Sequence, residues 1–425
     1  MRILLVSEDI PYPSMGGLAK HALTLASALV RAGHTVDLLG GTQHPIEVAG
    51  AEGQFGGSFF GELDGHIAGW KEIRLGVYLP PRRTWIARRF ARIILRHADN
   101  YDVIHYHGHA PNVALFIPED VNFVQTRHDQ GSDCLMNTRY RNDAVCETID
   151  PAACASCRTL QPNPLQTAIT AMAVRRYRKE VAAAFQRHKT VFVSELLQRN
   201  FTRAMGPGQW GITVHNFIDT ERVRRAREQV TAEAAERRTG FDIFVAAKLY
   251  PAKGVGAFLR EAVPRLQPGM RITVAGNGEE EAGLRAAFEG DAVRFLGWCH
   301  VADTLLHAAR ADAVVVPSLW EEPFGATTLE GLLLGKQTFA LARGGTPELK
   351  IYVAAPDQLR LFDDMAALVD DLLRWPQRER PSYAPLAPEV GGTRDAVETL
   401  LRIYRLPPGR AVNTISAMPK LQGQR

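Results

Sequence analysis

No run of apolar residues in this 425-residue chain approaches the ~20 that a membrane-spanning helix needs, so the sequence predicts no such helix. An excess of one charge is missing too. Lys and Arg number 50 against 46 Asp and Glu, and the net charge of +4 gives no case for a nucleic-acid partner. Cysteine is scarce, with five residues. The opening stretch, Met1-Arg-Ile-Leu-Leu-Val-Ser7, is too short for a secretory signal and reads as a first β-strand. The expected location is therefore cytoplasmic, with the inner face of the membrane as an extension of it. Disulfides are not expected there. No short-period repeat is visible. What is present, 46% hydrophobic and 23% charged residues, is the composition of a globular protein, and the length predicts two domains of about 200 residues.

Short apolar strands alternate with amphipathic helices along most of the chain, the pattern of parallel sheets covered on both faces. Expected strands in the first half are Arg2–Val6, Thr35–Leu39, Asp102–His105, Asn122–Thr126, Thr190–Val193 and Ile212–His215. A helix runs from Gly16-Gly17 to Ala32, with Leu18, Ala22, Leu25 and Leu29 on one face and Gly33 as its cap. Between Gln43 and Arg83 we expect loop and irregular strand. The second half restarts the alternation at Phe241–Ala246 and closes with helices Met365–Trp375 and Arg394–Arg405. The expected domains are 1–217, with a Cys-rich insertion over about 129–160, and 218–406, followed by a flexible tail at 407–425. Each is a Rossmann-like α/β domain, and in such sheets ligands bind beyond the carboxyl ends of the strands.

Chemistry concentrates after two strands of the second half. Ser318-Leu-Trp-Glu-Glu-Pro-Phe-Gly-Ala-Thr-Thr-Leu-Glu330 sets Glu322 and Glu330 on either side of a turn that opens a helix. The helix start offers N–H groups and a positive dipole end to an anion, and the carboxylates suit sugar hydroxyls. Lys248-Leu-Tyr-Pro-Ala-Lys253-Gly254 puts two ammonium groups in the loop after Phe241–Ala246, where they can neutralise a departing diphosphate. Taken alone, either motif is equally a tight turn with solvated charges. Their joint position in one domain favours a nucleotide-sugar site.

Further elements are Ala275-Gly-Asn-Gly278, Phe295-Leu-Gly297, Gly344-Gly-Thr-Pro-Glu348, Gly33-His34-Thr-Val36, Asp102-Val-Ile-His105, Arg127-His128-Asp129 and Asn216-Phe-Ile-Asp219. In this order they resemble the retaining glycosyltransferases of family 4, across nearly the whole chain. The resemblance implies the GT-B architecture, two Rossmann-like domains facing across a deep cleft. It implies transfer of a sugar from a nucleoside diphosphate donor, UDP favoured over GDP, to a glycan, lipid-linked or small-molecule hydroxyl, as in bacterial surface polysaccharide or glycoconjugate synthesis. Lys248 and Lys253 then hold the diphosphate and Glu330 the ribose. Glu322, with the backbone of Phe324, Gly325 and Ala326, orients the sugar, and Thr327 joins the donor-binding set. Gly16 and Gly17 approach the phosphates, His128 lies near the sugar's primary hydroxyl, and Asn277 and Gly278 line the base pocket. Two departures stand out: Lys248 replaces a more usual Arg, losing the bidentate fork, and Lys350-Ile-Tyr-Val-Ala-Ala replaces a Gly-containing loop after Glu348. No Asp-x-Asp motif is present, and no catalytic metal is expected. The alternatives are a GT-B sugar-nucleotide epimerase and a catalytically silent partner subunit; the full complement of Lys248, Lys253, Glu322 and Glu330 argues for activity.

Cys134, Cys146, Cys154 and Cys157 fall in the insertion after His128-Asp129. Four thiolates suit a closed structural Zn²⁺ site; free thiols and a redox pair are the other readings. Arginines at 82, 83, 88, 89, 92 and 96 alternate with Trp85, Ile86, Phe90, Ile93 and Ile94 over 82–98. Such a helix either rests on anionic lipid through its cations and Trp85 or buries its apolar face in the domain core.

Overall fold

A computed structural model describes residues 1–10, 17–41, 56–63, 80–157, 163–233, 240–375 and 393–409. The chain forms two compact units. The first holds Met1–Arg139, Cys146–Asn216 and the helix from Thr393; the second holds Phe217–Gly392 together with the short segment Tyr140–Val145. The seam lies between Asn216 and Phe217, beside the expected bound of 217/218. The last helix is placed otherwise. Expected to close the second domain, it belongs to the first.

The first unit is built on seven parallel strands: β1 (Arg2–Val6), β2 (Thr35–Gly41), β3 (Phe59–Leu63), β4 (Val103–His107), β5 (Phe123–Arg127), β8 (Lys189–Phe192) and β9 (Ile212–Thr213). Their spatial order is β3-β2-β1-β4-β5-β8-β9. Tyr140–Arg141 and Ala144–Val145 form a separate antiparallel hairpin, β6–β7. β4 and β5 are buried at every residue, as strands covered on both faces are, although they carry His105, His107, Gln125, Thr126 and Arg127. Covering helices are α1 (Gly17–Arg31), α2 (Pro80–Leu95), α3 (Pro151–Ala155), α4 (Pro164–Arg187) and α5 (Glu195–Met205). α4 has no clear sequence stripe but carries strong start signals: Asn163 accepts the N–H of Gln166 at 2.9 Å, and Pro164 takes the first turn.

The second unit opens with α6 (Thr220–Glu233) and carries six parallel strands: β10 (Phe241–Ala246), β11 (Met270–Ala275), β12 (Val293–Gly297), β13 (Ala313–Val316), β14 (Gln337–Leu341) and β15 (Leu359–Phe362). The order is β12-β11-β10-β13-β14-β15. Between them run α7 (Val255–Ala262), α8 (Glu281–Phe288), α9 (Val301–Arg310) and α10 (Ala326–Leu333), with α11 (Met365–Arg374) after β15. Phe241, Ile243, Val245, Phe258, Ile272, Val315, Phe339 and Leu368 belong to one buried core. α12 (Thr393–Arg405) packs on α1 in the first unit. Its Tyr404 hydroxyl meets His105 Nδ1 at 2.6 Å, and Asn122 donates to the Tyr404 carbonyl at 2.8 Å. Amphipathic periodicity says that a helix forms, not which core it joins.

Both sheets reverse direction once. The first does so between β1 and β4, the second between β10 and β13. Loops leaving such a pair diverge and leave a crevice at the strand ends.

Candidate active site

In the second unit the two loops at the reversal carry the charged residues singled out in the sequence. Lys253 Nζ lies 2.6 Å from Glu322 Oε1, and Ser318 donates to the same oxygen at 2.6 Å. The Lys253 ammonium also sits 4.4 Å from the centroid of the Trp320 ring. Glu322 is buried. Burial alone would raise its pKa, but Lys253 and Ser318 outweigh that and hold it below the ordinary carboxylate range. The loops are joined by backbone as well, since Leu319 and Trp320 both donate to the Ala252 carbonyl.

Gly325, at φ 93°, caps α10, whose first N–H groups have no partner within the helix. Thr327 Oγ1 reaches the carbonyl of Ala246 at 3.5 Å, tying the start of α10 to the end of β10. Glu330 lies in α10, half-buried. The Gly344-Gly345 turn presses on this segment. A Cβ at Gly344 would stand 2.4 Å from both N and O of Glu322, and Gly345 donates to the Glu322 carbonyl at 2.7 Å. Asn277 accepts the N–H of Leu249 at 2.8 Å, so the turn at Asn277-Gly278 supports the lysine loop. Lys248 is exposed, Phe324 is buried and Ala326 is exposed.

In the first unit the reversal gathers groups that the sequence reading passed over. His109 bridges two carboxylates: Nδ1 to Asp129 at 2.7 Å and Nε2 to Asp9 at 2.9 Å. Burial opposes its charge, but Asp9 and Asp129 overcome this and raise its pKa well above the ordinary histidine value. Both ring nitrogens therefore donate. Glu8 accepts from the Tyr106 hydroxyl at 2.9 Å and from the backbone N–H of His109 at 2.6 Å. A Cβ at 108 would come within 2.0 Å of Glu8 Oε2 and 2.3 Å of the Tyr106 hydroxyl, so any side chain there would displace them. Arg127, fully buried, donates to the Gly108 carbonyl at 2.7 Å. The signal available in the sequence was position: Asp9, His109 and Asp129 each lie just past the end of a strand.

His128 sits beside His107, with Nε2 and Nδ1 2.9 Å apart. Burial holds both rings well below the ordinary pKa, so they are neutral. One donates and the other accepts. Gly17 begins α1 at an exposed position, and Gly16 lies outside the described residues.

The model named Glycosyltransferase Family 4 matches residues 15–222, and the one named Glycosyl transferases group 1 matches 240–374. The chain is a family 4-like glycosyltransferase. A glycogen synthase of Mycobacterium tuberculosis is 28% identical over 378 residues, covering 83% of this chain and 80% of that protein. Among solved structures, Anabaena HepE in complex with UDP and glucose superposes with a TM-score of 0.58 at 16% identity, covering 94% of this chain and 98% of the other. Sucrose-phosphate synthase of Thermosynechococcus elongatus gives 0.59 at 18%, covering 95% and 96%. Their likeness at this identity is one of fold, and the fold is GT-B.

In this glycosyltransferase no disulfide joins the four cysteines of the insertion. Cys154 feels Cys146 and Cys157 electrostatically and receives a hydrogen bond from Arg178 Nη2 at 3.4 Å. A closed zinc site needs all four sulfurs around one centre. Among the described residues, the ligand atoms that do gather within 4.8 Å of one another are those of His21, His107 and His128. On α2 the apolar residues Ile86, Phe90, Ile93 and Ile94 are buried, while Trp85 is 55% exposed and Arg88 and Arg92 face solvent. Among the described residues no helix is long and apolar enough to cross a membrane.

Proposed function

We propose that this glycosyltransferase takes its sugar from a nucleoside diphosphate, UDP in preference to GDP, and delivers it with retention of configuration to a hydroxyl acceptor. The observation that carries the reading is the Lys253–Glu322 pair at the strand reversal, beside the start of α10. A cation that can pass from a carboxylate to a diphosphate stands next to a carboxylate that can then accept sugar hydroxyls. Lys253, Lys248 and the N-terminus of α10 stabilise the leaving diphosphate in place of a metal ion. Glu330 binds the ribose, Asn277 and Gly278 border the base, and His128 lies near the primary hydroxyl of the transferred sugar. Support for UDP comes from Anabaena HepE, described in complex with UDP and with UDP-glucose. Retention rests on the family resemblance. A short stretch of 117 residues is 30% identical to a protein in the cps region of Klebsiella pneumoniae, in keeping with a role in surface polysaccharide synthesis.

The deciding experiment incubates the protein with UDP- and GDP-sugars and a panel of sugar and lipid-linked acceptors, with products read by mass spectrometry and anomeric NMR. Transfer from UDP-sugars with the donor's anomeric configuration is expected. An inverted product, or conversion of the donor with no acceptor consumed, would replace the reading. Contact with anionic lipid, through Trp85 and the exposed arginines of α2, is part of the same proposal. Co-sedimentation with phosphatidylglycerol vesicles that persists unchanged in Trp85→Ala/Arg88→Glu/Arg92→Glu would remove α2 from it.

A further inference from the structure

Three imidazoles from three separate elements converge in the first unit. His21 lies in the second turn of α1, His107 ends β4, and His128 directly follows β5. One ring nitrogen of each falls within 4.8 Å of the others. Ring centroids are 4.8 Å apart for His21 and His128, 5.5 Å for His21 and His107, and 5.3 Å for His107 and His128. His21 and His107 are buried, His128 half-buried.

Hydrogen bonding does not account for this cluster. His107 shares Nδ1 with His128, yet its Nε2 is fully buried with no hydrogen-bond partner. Buried polar atoms are nearly always partnered, so a buried His107 ring with one nitrogen shared and the other orphaned is not accounted for by hydrogen bonds alone. His105 packs against His107 with 4.0 Å between centroids, but both its nitrogens are engaged, by Tyr404 and Thr126. It braces the cluster without joining it. Asp129, the next residue after His128, is held by His109. The set is therefore all nitrogen and carries no charge of its own. Oxygen-seeking Mg²⁺ and Ca²⁺ have no ligands there, whereas imidazoles suit zinc and its neighbours.

We propose that His21, His107 and His128 bind a divalent transition ion of the zinc class through three imidazole nitrogens, leaving a fourth position for an oxygen ligand. Three protein ligands and one exchangeable site is a stable arrangement for such an ion. The ion joins α1 to the ends of β4 and β5 and displaces the proton shared by His107 and His128. Because the reading above sets His128 near the transferred sugar, the occupied site slows transfer; this last consequence rests on that reading.

The test titrates Co²⁺, a visible probe of zinc sites, into the chelator-treated full chain. We expect about one cobalt per chain with tetrahedral d–d absorption and no thiolate charge-transfer band. His107→Ala and, independently, His21→Gln should each weaken binding at least ~10-fold while retaining the native circular dichroism. Zinc-edge X-ray absorption on the zinc-loaded wild type reads the ligands without any substitution, and should show imidazole nitrogens at about 2.0–2.1 Å. Sulfur scatterers, no cobalt spectrum, or a spectrum unchanged in both variants would overturn the site. Zinc bound by imidazoles with the transfer rate unaltered confirms the site and instead removes His128 from the reaction.

Discussion

Lys253 and Glu322 form a contact that the proposed reaction would have to rearrange. The ammonium is held 2.6 Å from the carboxylate. A diphosphate competes for it. Lys253→Ala should therefore lower transfer by ~10²-fold or more, the scale of losing a transition-state charge partner, with circular dichroism unchanged. Glu322→Ala releases the lysine, so product nucleotide should bind no more weakly while transfer from the intact donor falls. Glu330→Ala, by contrast, should cost nucleotide binding roughly 1–3 kcal/mol. Calorimetry with the product nucleotide on both glutamate variants separates these roles, and equal losses would refute the division. A second residue-scale effect lies at His188. Burial drops its pKa from 6.5 to about 4, its Nε2 donates to the Ile117 carbonyl at 3.0 Å, and its Nδ1 is buried without a hydrogen-bond partner. The folded form resists protonation while the unfolded chain accepts a proton near 6.5. Its contribution is thus complete above pH 6.5 and lost as pH falls through that value toward 4, by about 3 kcal/mol at most. His188→Gln should flatten the acid side of the denaturant-midpoint profile over that window.

At the scale of elements, the donor half depends on how closely three loops pack. The Glu322–Phe324 segment is gripped from behind by Gly344 and Gly345, whose backbone comes too near for any side chain at 344. Gly344 also has φ 62°, so Gly344→Ala combines left-handed strain with a backbone collision. A stability loss of about 1–3 kcal/mol is expected, read by urea unfolding, together with a fall in transfer as Glu322 moves off Lys253. A variant that loses stability but keeps its rate would show that the position of Glu322 matters less than this geometry implies. In the first unit, Gly108 has a comparable part, admitting Glu8 against Tyr106 and the N–H of His109.

For the molecule as a whole, chain order and domain membership differ at the C-terminus. α12 comes last in sequence yet packs on α1 and fixes His105 through Tyr404. Lys189, at the start of β8, donates to the Leu406 carbonyl at 2.6 Å and holds the end of the same segment. Tyr404→Ala should therefore lower the unfolding transition of the first unit, by about 3–5 kcal/mol for a fully buried aromatic side chain. The second unit's transition should stay where it is. Differential scanning calorimetry resolves the two, and equal shifts in both would contradict the assignment of α12 to the first unit.

Much of this was legible in residue order. Alternating short apolar runs and amphipathic stretches define parallel α/β domains, because burial on both faces leaves a local signature in each strand. The Lys253, Glu322 and Glu330 motifs were visible because a helix start and its preceding turn are local too. Three things depended on the tertiary structure. The partner of α12 follows from which core remained open, which periodicity does not encode. The Asp9–His109–Asp129 bridge and the His21, His107 and His128 cluster join positions about 20 to 100 residues apart. Sheet order brings the ends of β1, β4 and β5 together, since these strands are neighbours in space though not consecutive in the chain, and α1 adds His21. The cysteines stand between the two cases: closeness in sequence suggests a shared metal, and the fold brings Cys146 and Cys157 near enough to Cys154 for their charges to interact.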